Sequence, residues 1–377
     1  MKKKSLGIYL HIPFCIRKCN YCDFCSFPDA DGKLIEAYAE ELIRRIEKFS
    51  SQYGKRYVDT VYFGGGTPTL MNSQIFGRIL SVLRRSFDIS PDAEITVECN
   101  PASIDKNGLA ELFELGINRL SIGLQSADDG ELAVLGRLHS FEDFCRTFGD
   151  AREVGFENIS VDLMHSIPNQ TRKSFERSLT ELIALRPEHI SVYGLKIEEG
   201  TAFFYNRDKL NLPDEDTDAE LYMLCCDILS KNGYLQYEIS NFAMQGRESR
   251  HNLKYWRLDD YIGFGVAAHS CFEGERFGNS RDIKAFLAGK DISSQKQKIS
   301  DSERLSEYVM LGLRLTRGID KREFFSLTGS DFKHTYPTID AYIKGGFMRE
   351  DKNSIAFTIK GFLVSNMILS EMLTFDD

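Results

Sequence analysis

Along the first half of the chain, short runs rich in β-branched and aromatic residues alternate with longer stretches whose apolar positions repeat at helical spacing. The runs Leu6–Leu10, Tyr57–Phe63, Ile95–Val97, Arg119–Gly123, Ile159–Leu163 and His189–Tyr193 predict strands. The segments Leu34–Phe49, Asn72–Phe87, Lys106–Leu115, Phe141–Val154, Thr171–Leu185 and Thr217–Asn232 predict the helices that follow them. Strict alternation implies parallel strands joined by crossover helices, and six units imply an α/β fold built on an incomplete barrel. Past residue 233 the alternation gives way to a Gly- and aromatic-rich region expected to supply strands and loops. Lys284–Ser300 is polar and predicts a linker; helical periodicity resumes at Ser302, and Phe347–Gly361 predicts a hairpin followed by a closing helix, Phe362–Leu373. The expected division is therefore 1–233 for the barrel, 234–290 for an extension that completes it, and 291–377 for a small α/β module of winged-helix type.

Length supports that division, since 377 residues exceed the usual span of one domain. A net charge of −9 disfavours non-specific nucleic-acid binding, and the C-terminal module carries no dense Lys/Arg stripe, so a packing or lid role is expected for it. No apolar run reaches 18 residues and no signal-peptide core follows Met1–Lys4, which predicts a cytoplasmic protein without an integral membrane segment. Nine cysteines in such a chain point to metal ligation or burial rather than disulfides. Cys225 and Cys226 fall on a helical period and read as buried.

The candidate chemistry sits at the C-terminal ends of the predicted strands, the end where parallel barrels build their sites. After the first strand come Cys15, Cys19 and Cys22, spaced C-x3-C-x2-C. Three clustered thiolates suit a four-iron cubane with one iron left open, whereas a zinc knuckle would need Cys25 or His11 as a fourth ligand. After the second strand, Gly64-Gly-Gly-Thr-Pro-Thr69 would allow close backbone approach to a ligand, or simply form a tight turn. Glu98, Gln125, Arg137 and Asp162, at or just beyond later strand ends, offer carboxylates, an amide and a cation, the mix that an amino-acid headgroup and a ribose require.

These motifs occur in the order His11-Ile-Pro-Phe-Cys, Gly-Gly-Gly-Thr-Pro-Thr, Glu98-Cys-Asn-Pro101, Ser121-Ile-Gly-Leu-Gln-Ser126, Leu135-Gly-Arg-Leu-His139 and Val161-Asp-Leu, with the tail Lys360-Gly-Phe-Leu-Val-Ser-Asn-Met-Ile-Leu369. The chain resembles, over nearly its whole length, the radical S-adenosylmethionine (SAM) proteins of the oxygen-independent coproporphyrinogen oxidase (HemN-like) group, and within it the HemW haem chaperones. The resemblance implies a partial (β/α)6 barrel with a HemN-like C-terminal module. It implies a [4Fe-4S] cluster on Cys15, Cys19 and Cys22, and S-adenosylmethionine contacts from Tyr9, Tyr21, Gly65, Gly66, Thr67, Glu98, Gln125, Arg137 and Asp162. Cys25 is expected to be a non-ligand. The family's Asp-Leu-Ile-Tyr-Gly-Leu-Pro is here Asp162-Leu-Met-His-Ser-Ile-Pro168, so Ser166 stands where a glycine is usual.

Within the group the resemblance separates two activities. Coproporphyrinogen dehydrogenases carry a long segment before the cysteines, and only 14 residues precede Cys15 here. The run His251-Asn-Leu-Lys-Tyr-Trp256 matches a motif associated with haem, which implies haem contacts from His251, Asn252, Tyr255 and Trp256, with Arg250 and Lys254 facing the propionates. The alternative for His251 is to orient a loop by hydrogen bonding, with Trp256 in the core. The expected function is a haem chaperone that passes haem to an acceptor protein and takes electrons from a donor; the alternative is oxidative decarboxylation of coproporphyrinogen III to protoporphyrinogen IX.

Overall fold

The computed structural model describes residues 5–28 and 32–373; the basic start of the chain, Met1–Lys4, lies outside the described residues. Six parallel strands, β1 (Leu6–Ile12), β2 (Tyr57–Gly65), β3 (Asp88–Cys99), β4 (Arg119–Gln125), β5 (Ile159–His165) and β6 (His189–Gly194), stand side by side in sequence order. Helices α1 (Lys33–Tyr53), α2 (Ser73–Ser86), α3 (Lys106–Glu114), α4 (Asp129–Leu135), α5 (Phe141–Val154), α6 (Arg172–Ala184), the short α7 (Ala202–Tyr205) and α8 (Glu215–Lys231) occupy the connections. The long helices bury an apolar stripe, in α2 Ile75, Phe76, Ile79, Leu80 and Leu83, against the outward side chains of the strands. Asn72, Asp105, Ser140 and Thr171 accept a backbone N–H at the starts of α2, α3, α5 and α6, each cap contributing about 1 kcal/mol.

The barrel has more staves than six. A ninth strand, β9 (Tyr261–Phe264), pairs in parallel with β1, and β10 (His269–Phe272), β11 (Glu275–Gly278) and β12 (Gln297–Lys298) continue antiparallel from it. On the opposite edge, β8 (Asn241–Ala243) pairs with β6 and β7 (Leu235–Gln236) with β8, giving a twelve-stranded sheet. The expected linker Lys284–Ser300 is thus a correction: it contains most of a helix, Ile283–Leu287, which buries Phe286 under Tyr38, and ends in β12. The C-terminal module has a three-stranded sheet of Ile319–Asp320, Ser354–Phe357 and Met348–Glu350, with short helices around it and the expected hairpin in place.

Inside the barrel the side chains are polar. Thr60, Tyr62, Glu94, Thr96, Glu98, Arg119, Ser121, Ser160, Asp162 and His189 alternate with apolar residues that face the helices. The base is closed by α9 (Arg250–Trp256), a helix the sequence reading took for loop. Its first two amides, Arg250 N and His251 N, donate to the two oxygens of Glu94 at 3.1 and 3.0 Å, so a carboxylate sits on the helix N-terminus. Its His251 side chain reaches Thr60 and its Lys254 side chain Asp59, both on β2, and the two crowd Gly7 on β1. A Cβ at Gly7 would come within 2.7 Å of Lys254 Cδ, which accounts for a glycine in mid-strand.

Ser166 has φ of 60°, in the left-handed region that favours glycine. Its hydroxyl donates to Asp218 of α8, whose carboxylate also lies 2.9 Å from His165 Nδ1. Those contacts offset a strain of about 1 kcal/mol. Chemical denaturation is therefore expected to show Ser166→Ala, which keeps the strain and loses the bond, destabilised by about 1–2 kcal/mol. Ser166→Gly loses the bond but relieves the strain, and should lose less; an order reversed between the two would refute the compensation.

Candidate functional site

The C-terminal ends of β1 to β6 open into one pocket whose wall includes Cys15, Cys19, Cys22, Tyr21, Gly65, Gly66, Glu98, Gln125, Arg137 and Asp162. The structure therefore brings together ten of the twelve residues expected for the cluster and S-adenosylmethionine. Thr67 borders the neighbouring cleft with Cys19 and Arg137, and its hydroxyl donates to Cys15 Sγ at 3.7 Å. Tyr9 is not among the residues on that wall: its hydroxyl is bonded to His11 Nδ1 at 3.0 Å and its ring stacks on Tyr62.

Both alternative fourth ligands are engaged elsewhere. Cys25 is 7% exposed, packed in the apolar core and off the pocket wall. His11 shares its Nε2 with the Cys25 carbonyl at 3.2 Å and its Nδ1 with Tyr9. Three thiols with a hydroxyl and a guanidinium directed at sulfur fit a cubane with one open iron, and they leave a tetrahedral zinc ion one ligand short.

Arg137 is the best anchored group on the wall. Its Nη1 lies 3.7 Å from Cys19 Sγ, and Nη2 donates to Asn100 Oδ1 at 2.7 Å and the Gly123 carbonyl at 2.8 Å. Asn100 in turn donates to Thr67 at 2.6 Å. Gln125, at φ of 72°, accepts from the Tyr193 hydroxyl at 2.9 Å. Glu98 accepts from Tyr62 and from the Gly65 amide, both at 2.9 Å. Burial pushes Glu98 above the usual carboxylate range, and burial together with Glu98 raises Asp162 to about 7, while Arg119 below them opposes both shifts.

The glycine run serves the protein's own packing first. A Cβ at Gly64 would meet Tyr62 at 2.8 Å and Glu98 at 2.9 Å, one at Gly66 would meet the Phe14 carbonyl at 2.5 Å, and Gly65 has φ of 116°. Asn100, a polar residue just past the end of the third strand, also lines the pocket, as do Ser121 and Tyr193, which were not singled out from sequence. Tyr193 was within reach of a parity argument: Asp162 pairs with Ser191, and Tyr193 is two residues along the same face of β6.

The haem set is not at this pocket. His251 is 1% exposed at the barrel base, with Nδ1 bonded to Thr60 at 2.9 Å, Nε2 to the Tyr255 hydroxyl at 2.8 Å, and its ring stacked on Tyr62. Burial and the nearby Lys254 and Arg119 charges push its pKa down to about 3. With both nitrogens used and no opening to solvent, it cannot take an axial position on haem iron without leaving this site. Lys254, 3% exposed, pairs with Asp59 at 2.8 Å, so the propionate expectation is corrected as well. Arg250 donates to the Asp92 carbonyl at 2.7 Å, and Tyr255 packs edge-on against Tyr261. Asn252 and Trp256 are half-buried on the same helix, so Trp256 is not a core residue.

Comparison with known proteins places this geometry. Residues 9–182 match the Radical SAM superfamily and residues 299–364 the HemN C-terminal domain. The haem chaperone HemW of Bacillus subtilis (strain 168) is 34% identical over 97% of this chain and 98% of its own length. This chain belongs to the HemW family of radical SAM proteins. HemW of Escherichia coli (strain K12), 32% identical over 99% of both chains, agrees. Coproporphyrinogen III oxidase (HemN) from Escherichia coli superposes with a TM-score of 0.85 at 24% identity, over 98% of this chain and 90% of that one, and so shares the fold. Among the described residues, no helix is long and apolar enough to cross a membrane.

Proposed function

We infer that this protein is a haem chaperone of the HemW type, holding a [4Fe-4S] cluster and exchangeable S-adenosylmethionine, and passing haem to an acceptor protein. The observation that carries the reading is end-to-end similarity to curated HemW chaperones, without large gaps in coverage on either side. Cys15, Cys19 and Cys22 would hold the cluster at the pocket mouth. When bound there, S-adenosylmethionine would be open to reductive cleavage of its sulfonium C–S bond by one electron taken from the donor through the cluster. Arg137, fixed by Asn100 and Gly123, is set to meet a carboxylate; Glu98 and Asp162 are set to accept from amino or hydroxyl groups; the Gln125 amide is oriented by Tyr193. Tyr21 and Tyr193 line the same wall. The electron donor and the haem acceptor are identified here by role alone.

Anaerobic reconstitution is expected to load about four irons and four sulfides, as a cubane requires. Cys19→Ala should abolish the cluster and Cys25→Ala should keep it, read by iron and sulfide content. Zinc in place of iron, or loss of iron in the Cys25 variant, would overturn the ligand set. The second reading, conversion of coproporphyrinogen III to protoporphyrinogen IX, is favoured by the intact radical-type pocket. Incubation with S-adenosylmethionine, reductant and coproporphyrinogen III decides between them: sustained protoporphyrinogen formation would displace the chaperone reading.

A further inference from the structure

With His251 shut inside the barrel base, a haem-binding protein of this fold needs another seat. The mouth of the cysteine pocket has an unusual surface. Ile16, Phe24 and Leu138 are 67%, 63% and 60% exposed. Ile16 and Leu138 border the cleft beside Cys19 and Arg137, and Phe24 borders the pocket that holds the three cysteines. The chain is tied together there: Asn20 N donates to the Leu135 carbonyl at 3.0 Å, and Phe203 N donates to the Asn20 carbonyl at 2.9 Å. That second bond plants Phe203 beside Tyr21 in an apolar cluster and leaves Tyr205, two residues on, 74% exposed. Large apolar side chains gathered around one opening mark a surface that something covers.

Charge narrows what covers it. On a chain of net charge −9, the cysteine loop presents Arg17 and Lys18, both exposed. Arg17 donates to the Gly136 and Arg137 carbonyls, and neither cation has a carboxylate partner among the described residues. The nearby Asp23 is taken by Arg281 at 3.1 Å. Haem has broad apolar faces and two carboxylates on one edge, and this rim offers apolar contact and, on one side, two cations that pair with no described carboxylate. We propose that haem docks across the mouth of the cysteine pocket, its macrocycle on Ile16, Phe24 and Leu138 and its propionates toward Arg17 and Lys18. The inference rests on the chaperone reading. Of the seven histidines only His139 borders this rim, and it is 6% exposed with its Nε2 bonded to the Leu124 carbonyl at 3.1 Å, so this seat holds haem by face and propionate contacts without an imidazole.

The test is a haemin titration of the full chain followed at the Soret band, with iron and sulfide content measured alongside. Leu138→Glu, which lies off the cysteine loop, and the pair Arg17→Glu with Lys18→Glu should each weaken haem binding at least tenfold while Leu138→Glu keeps the cluster. His251→Gln should leave affinity and spectrum unchanged. If the wild type binds haem and the rim variants bind it equally well, the seat is wrong and the chaperone reading stands. If the wild type binds no haem, the chaperone reading fails and the seat with it. If the rim variants alter only self-association in sedimentation, the face belongs to a second copy of the chain, and the proposal is overturned.

Discussion

Lys254→Met is expected to destabilise the protein by about 2–4 kcal/mol, read by urea denaturation at neutral pH. The ammonium is 3% exposed, 2.8 Å from Asp59 Oδ1 though off its hydrogen-bonding direction, and 3.0 Å from Ser5 Oγ. Methionine keeps most of the volume, so the loss measures charge rather than packing. What remains is a carboxylate with only Arg250 Nη2 at 3.7 Å for company. Asp59 retains 20% side-chain exposure, which holds the cost below that of a fully enclosed pair. Adding Asp59→Asn to the same chain should recover about half of the loss by removing the stranded charge. A propionate-binding role for Lys254 predicts the opposite pattern, weaker haem binding with little change in stability.

Asp162→Asn should separate stability from ligand binding. In the folded protein Asp162 titrates at about 7, whereas an unfolded aspartate titrates near 3.8. Between those values the unfolded chain has lost a proton that the folded chain keeps. Stability from this site is therefore present below about pH 4 and is lost as pH rises toward 7. The residue sits on a pocket wall within reach of water, so the loss is discounted to about 1–2 kcal/mol. Asparagine carries no such term. The variant without ligand should match the wild type only below about pH 4, exceed it by that amount at pH 8, and have a flatter stability profile. If Asp162 accepts from S-adenosylmethionine as proposed, the variant's affinity at pH 8 should fall at least tenfold. Equal pH profiles for the two proteins would remove Asp162 from the set of strained groups.

The barrel was legible because each strand-helix unit carries its own period: strands alternate every two residues, helices bury a stripe at 3.6, and both follow from local chain geometry. The cysteine loop and most of the pocket wall were legible for the same reason, since knowing where a strand ends says which residues reach the rim. Parts whose order depends on distant contacts were not. The helix Arg250–Trp256 is short, polar and without a clean apolar stripe; Glu94 on β3 fixes its first turn from outside. The histidine in it looked like a ligand because sequence shows that an imidazole is present, but not that Thr60 and Tyr255 have claimed both nitrogens. Tyr9 lies in the middle of β1 rather than at its end, and the hold of His11 on its hydroxyl depends on side-chain packing that sequence does not display. The segment after Asp282 read as a linker because its helix buries a single aromatic, Phe286, under Tyr38.

Strand β1 lies between β2 and β9, partners about 50 and 250 residues away along the chain. The strand that leads into the cysteines is thus flanked on one side only until the segment around Tyr261 has been made. Its second edge can close only after most of the protein has left the ribosome, and closure must pay the entropy of a very long loop. The cysteine loop is made about 240 residues before the strand that completes its support. Cluster loading is accordingly expected to follow chain completion, and a truncation before residue 261 should bind iron poorly even with all three cysteines present.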